Sequence, residues 1–227
     1  MKRKVDIREI SDGRLYGLND MVKADCKDCA GCSDCCRGMG NSIVLDPLDL
    51  YRIQQGLGAD FQTLMGGYIE LNMVDGMILP NLKMQEKTQA CAFLNEQGRC
   101  RIHAVRPGIC RLFPLGRLYR EEEKGFDYFL QIHECRMENR TKIKVKKWID
   151  TPDAQQYETF IKDWHYFLED TAVLVKSVLA ESTAKELLMF ILKLFYIQPY
   201  DGKMPFYPQF YKRLEQAEKI VKSVGEP

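Results

Sequence analysis

Four cysteines fall within eight residues of this 227-residue chain, as Cys29-x-x-Cys32-x-x-Cys35-Cys36. A two-residue gap lets one tight turn bring two sulfurs to one metal, as zinc sites do. Two successive gaps put three thiolates on one short loop, the arrangement with which bacterial ferredoxins hold a cubane cluster. Packing gives no reason for so many thiols side by side. Cys36 follows Cys35 directly, and neighbouring side chains on an extended backbone point to opposite sides. On that geometry the two serve different metals, or different irons of one cluster. A strained vicinal disulfide is the alternative.

Cys91, Cys100, Cys110 and Cys135 are spaced by nine, ten and twenty-five positions. Each alone reads equally well as core, where a thiol behaves as a small hydrophobe. Beside a three-thiolate loop that needs a fourth ligand from elsewhere, they become candidates. Arg37, Arg99, Arg101, Arg106 and Arg111 lie next to or near these cysteines. Hydrogen bonds from them to sulfur would offset the negative charge of a thiolate site; taken singly, each also reads as a solvated loop arginine. Cys26-x-x-Cys29 continues the same step, so on spacing alone Cys26 can replace Cys36 as a ligand.

The remaining chemistry is sparse. His133, two positions before Cys135, reads as a surface residue or a support for a ligand. His165, among Trp164, Tyr166 and Phe167, reads as partly buried structure. Cys100 and His103 are near enough for a nucleophile and its base, but a metal site accounts for more cysteines at once. No Ser-His-Asp or paired-carboxylate pattern is present.

These segments, with Cys91-x-Phe93-Leu94, Gly98-x-Cys100-x-Ile102 and Arg106-Pro107-x-x-Cys110-Arg111-x-Phe113-Pro114, resemble the YkgJ-like CxxCxxCC family, described as chelators of zinc or iron. The resemblance spans roughly residues 26 to 135. It implies eight metal ligands: Cys29, Cys32, Cys35, Cys36, Cys91, Cys100, Cys110 and Cys135. It leaves Cys26 outside, and it gives His103 a packing role. Some relatives are flagellin lysine methylases, which keeps a protein-lysine methylase reading open. No glycine-rich strand-to-helix loop of the nucleotide-cradling kind supports it.

Charge and composition narrow the field. Lys+Arg 33 against Asp+Glu 32 leaves +1, so bulk charge does not suggest nucleic acid as a partner. The first residues are basic but lead into no apolar stretch, unlike a secretory signal. The longest apolar run, Leu187 to Ile197, is interrupted by Lys193 and is too short for a membrane span. A cytoplasmic protein with reduced thiols is expected.

The elements that position the cysteines read as α+β: a small metal-binding domain of hairpins and short helices over 1–140, then a helical region over 141–227. Ile43-Val44-Leu45 reads as a strand, and Asp46-Pro47 starts a helix ending near Gly56. Tyr68 to Met84 predicts a hairpin turning at Asp75-Gly76. Two more are predicted around Asn95 to Gly98 and around Glu121 to Gly125. Thr141 to Lys147 reads as a solvated connector or edge strand. Beyond it, Thr151-Pro152-Asp153 starts one helix, a Thr183/Glu186 capping box starts a second that Pro199 ends, and a third runs from Pro208 to Val224.

Eight thiolates saturate two four-ligand sites and leave no open position for substrate. The expected function is therefore an iron–sulfur cluster, most simply 4Fe-4S, in electron transfer or a structural role. It would imply a redox or protein partner. The alternative is a zinc-stabilised binding module. An enzyme becomes plausible if one ligand is missing and a metal is open.

Overall fold

A computed structural model of the chain describes residues 6–120 and 122–225; Met1-Lys2-Arg3-Lys4-Val5, Glu121 and Glu226-Pro227 lie outside it. It is an α+β protein. Strand β1 (Ser11–Tyr16) follows a single helical turn, α1 (Ile7–Ile10), and joins the hairpin of β5 (Leu115–Arg120) and β6 (Gly125–Gln131). The sheet order is β1-β6-β5, all antiparallel. A second ladder pairs β2 (Met21–Asp25) with β7 (Thr141–Lys144), and a third pairs β3 (Ile69–Val74) with β4 (Met77–Leu82). The third is the hairpin expected at Asp75-Gly76. Val74 faces Met77, and both turn residues have positive φ, as a two-residue loop that follows strand twist requires.

Other expectations hold in weaker form. Ile43-Val44-Leu45 runs beside β4 but makes one bridge, Val44 to Asn81, and two flanking hydrogen bonds. Leu94 and Cys100 likewise form one bridge across the turn at Asn95. Helix α2 (Pro47–Leu57) starts as expected, with a reciprocal capping box between Asp46 and Asp49. It ends near Gly56, as expected, with Gly58 in the left-handed conformation a C-terminal glycine supplies. Of the two readings of 141–147, the edge strand holds for 141–144, which form the exposed strand β7. The rest enters α5 (Val145–Ile149), which buries Val145, Trp148 and Ile149.

Among the helices of the C-terminal region, α6 (Ala154–Ser177) is capped by Asp153, not Thr151. It buries Tyr157, Phe160, Ile161, Trp164 and Phe167 along one stripe, the spacing that an apolar helix face requires. Helix α7 (Glu181–Leu192) begins at Glu181, so Thr183 lies inside it and no Thr183 capping box forms. A negative charge in the first turn suits the helix dipole there. A π-helical turn over Lys193–Ile197 follows, and α8 (Phe206–Gly225) starts two residues before Pro208. Pro208 is tolerated because first-turn N–H groups have no intrahelical acceptor. No described helix is long and apolar enough to cross a membrane.

One apolar core runs through both parts of the chain. The Tyr196 hydroxyl donates to Leu45 O at 2.9 Å, and Trp148 Nε1 donates to Leu112 O at 3.1 Å. Residue 140 immediately precedes β7, whose partner β2 lies before the first cysteine.

Candidate metal centre

Between β2 and α2 the chain makes two 3₁₀ turns, Lys27–Cys29 and Asp34–Cys36. Lys27, Cys29 and Gly31 have φ of 54°, 55° and 76°. Left-handed backbone at non-glycine residues costs about 1–2 kcal/mol each and persists where surroundings impose it, often at functional loops. The loop is seated on the second group of cysteines. Cys91 N donates to Cys36 O and Gly38 N to Gln89 O, both at 2.8 Å, and Arg99 Nη1 donates to Cys29 O at 2.8 Å. Backbone pairing thus places Cys36 beside Cys91, and the Asn95 turn brings Cys100 back to Leu94.

Cys110 arrives on α4 (Gly108–Leu112). That helix is fixed from two sides. Gly108 N donates to the buried Asp49 Oδ1 at 2.7 Å, and a Cβ on Gly108 would run into the Tyr157 hydroxyl. A larger residue there would have to push the Tyr157 side chain aside. Burial, with Asp46 beside it, pushes the Asp49 carboxyl well above the usual range.

All nine cysteines are free thiols; Cys26 and Cys91 are buried and the others half-buried. Their protonation shows which sulfurs feel one another. Cys26 Sγ and Cys29 Sγ are 3.5 Å apart. The hydrogen bond from Cys29 lowers Cys26 to about 6 and raises Cys29. In the same way Cys35 against Cys36 lowers Cys36 to about 7, helped by Arg37, Arg106 and Arg99, and raises Cys35. Burial raises Cys91 to about 11, with Cys100 and Cys36 adding to it. Burial also raises Cys100 and Cys110, and both feel Cys36. Cys135 acts on Cys29, and Cys29 on Cys35.

Seven of the eight predicted ligands therefore form one connected set: Cys29, Cys35, Cys36, Cys91, Cys100, Cys110 and Cys135. Cys32 stands half-buried on the same loop and makes no hydrogen bond to another thiol among the described residues. Cys35 and Cys36 are not on extended backbone. They lie in a 3₁₀ turn, where strand alternation does not operate. Cys26 is drawn against Cys29, closer than spacing alone could tell.

The arginines divide. Arg37, Arg99 and Arg106 act on the sulfurs, whereas Arg111 commits its donors to the carbonyls of Ala104, Arg106 and Asp150. His133 is exposed, His103 lies against Arg106, and His165 stacks on Tyr119 with centroids 3.5 Å apart.

The donor set suits a thiophilic metal: clustered sulfur, with nearby guanidinium groups to offset charge. The thiols are gathered as pairs and neighbours. Among the described residues, no group of three or more His, Cys, Asp or Glu is disposed to hold one ion. A family model, CxxCxxCC, described as a "putative zinc- or iron-chelating domain", matches residues 28–136. That stretch, a little under half of the chain, is similar to this family. It holds all eight predicted ligands and excludes Cys26. No curated protein and no solved structure matches the chain.

Proposed function

We propose that residues 28–136 bind iron as an iron–sulfur cluster, through Cys29, Cys32, Cys35, Cys36, Cys91, Cys100, Cys110 and Cys135, for electron transfer or a structural role. One observation supports this reading: the cysteine loop is seated by backbone hydrogen bonds on the second cysteine group, Cys91 N donating to Cys36 O at 2.8 Å. A bound cluster takes up and releases single electrons. The chain's own part is to supply thiolates and offset their charge. Arg99 is pinned by Cys29 O, and with Arg106 and Arg37 it favours the ionised form of Cys36. Half-buried sulfurs leave a short path to the surface for a redox partner.

A zinc-stabilised binding module is the second reading, because structural zinc sites use the same Cys-x-x-Cys thiolate pairs. Iron and acid-labile sulfide analysis of protein purified without oxygen separates the two. Brown protein with both iron and sulfide supports the cluster; colourless protein with zinc and no sulfide overturns it. Cys36→Ser should lower the metal content, and Cys26→Ser should leave it unchanged. The reverse result would place Cys26 in the ligand set.

A further inference from the structure

A cavity of about 400 Å³ lies between the start of α2, the Asp75-Gly76 turn, β5 and α6. Its walls are largely apolar, with Leu79, Ile109, Ile161, Trp164 and Leu168 among them. Small-molecule sites combine such walls with a few fixed polar groups at this size. Its charged lining is the buried Asp49, the half-buried Asp46 and Arg117, and Asp75, Glu169 and Lys176 at its rim.

The acids and the base differ in what they have left to offer. Asp49 Oδ1 accepts from Gly108 N and Oδ2 from Asp46 N, while Asp46 Oδ1 accepts from Asp49 N. Both carboxylates are thus engaged by backbone, as parts of the α2 cap. Arg117 donates Nη2 to the Tyr157 hydroxyl at 3.1 Å, and its guanidinium lies 5.5 Å from the Phe126 ring centroid and 5.7 Å from that of Tyr157. Its Nε is buried without a hydrogen-bond partner, and it makes no ion pair among the described residues. A guanidinium stays charged and offers a rigid fork of donors. Asp46 and Glu158 reach it only through space, and keeping its Nε from water without an acceptor is costly. A carboxylate entering the cavity would supply that acceptor and a closer charge, with its apolar body against Leu79 and Trp164.

We propose that this cavity binds a small monocarboxylate with an apolar body, held by Arg117. The proposal does not depend on which metal the thiols bind. Titration calorimetry on the full chain, purified with its metal, would use phenylacetate and 3-phenylpropionate, with their primary amides and the matching amines. One of the acids should bind, and its amide should bind more weakly by roughly ten- to a hundredfold, the worth of a charged hydrogen bond. Arg117→Gln should lower the acid's affinity to that of the amide, and Arg117→Lys should recover part of it. Ala172→Leu fills the cavity from the opposite wall and should abolish binding while leaving Arg117 in place. Metal content and unfolding midpoint check that each variant is folded. Failure of both acids to bind at millimolar concentration overturns the proposal. So does an amide or amine that binds as well as its acid, or binding that survives Arg117→Gln and Ala172→Leu.

Discussion

The loop between β2 and α2 and the helical bundle of α6, α7 and α8 are organised by opposite means. The bundle is held by aromatic contacts: Phe160 to Phe210 and Trp164 to Phe195, each with centroids at 4.7 Å, and all four rings are buried. Arg213 even seals its inner end, donating to the carbonyls of Leu194, Gln198 and Pro199. The cysteine loop has 3₁₀ turns, left-handed residues and half-buried thiols in place of an apolar face. The first arrangement is stable by burial alone. The second leaves sulfurs that repel when ionised and a backbone that strains, and both are relieved when a metal takes the sulfurs. The difference separates a region that is its own core from one whose core is completed by what it binds.

Removing the metal should expose this difference most. With a chelator under reducing conditions, near-UV and strand signals from residues 26–136 should be lost cooperatively while the far-UV helical signal persists. Simultaneous loss of both would show the two regions to be one folding unit. Next in size is Phe160→Ala, which opens a cavity among the aromatic rings of the bundle and should cost about 3–5 kcal/mol. Denaturant unfolding would give the loss, and metal content should not change; loss of metal in folded protein would break the comparison. The smallest expected effect sits at the seam. Gly108→Ala pushes a methyl against the Tyr157 hydroxyl and should cost about 1–3 kcal/mol through overpacking. Adding Tyr157→Phe should recover part of that loss in a double-mutant cycle. Strict additivity of the two changes would mean that the contact is not the cause.

Much of this was legible in the residues themselves. The thiol spacing, the Asp75-Gly76 hairpin and the apolar stripe of α6 each follow from a local rule with a clear residue signature. What was hidden depends on partners far along the chain. Strands β1 and β2 are short and mostly polar outward, and their ladders are formed with residues more than a hundred positions later. Asp49 reads locally as a helix cap; its bond to Gly108 N, 59 residues on, has no sequence signature. Arg117 reads as one more strand arginine until Tyr157 and Phe126 close around it. The 3₁₀ turn at Cys35 and Cys36 is a turn type that adjacency alone does not fix.

The pairing of β1 with β6 and of β2 with β7 also has a consequence in time. Ser11 meets Gln131 and Met21 meets Lys144, so every cysteine of the chain lies between the two halves of the β2–β7 clasp. During synthesis the clasp cannot shut until β7 has left the ribosome. Closing so long a loop is among the late, slow events of folding. All nine sulfurs emerge before then, in a nascent chain still open to solvent. Metal delivery has its widest access in that interval, before the clasp closes over the finished site.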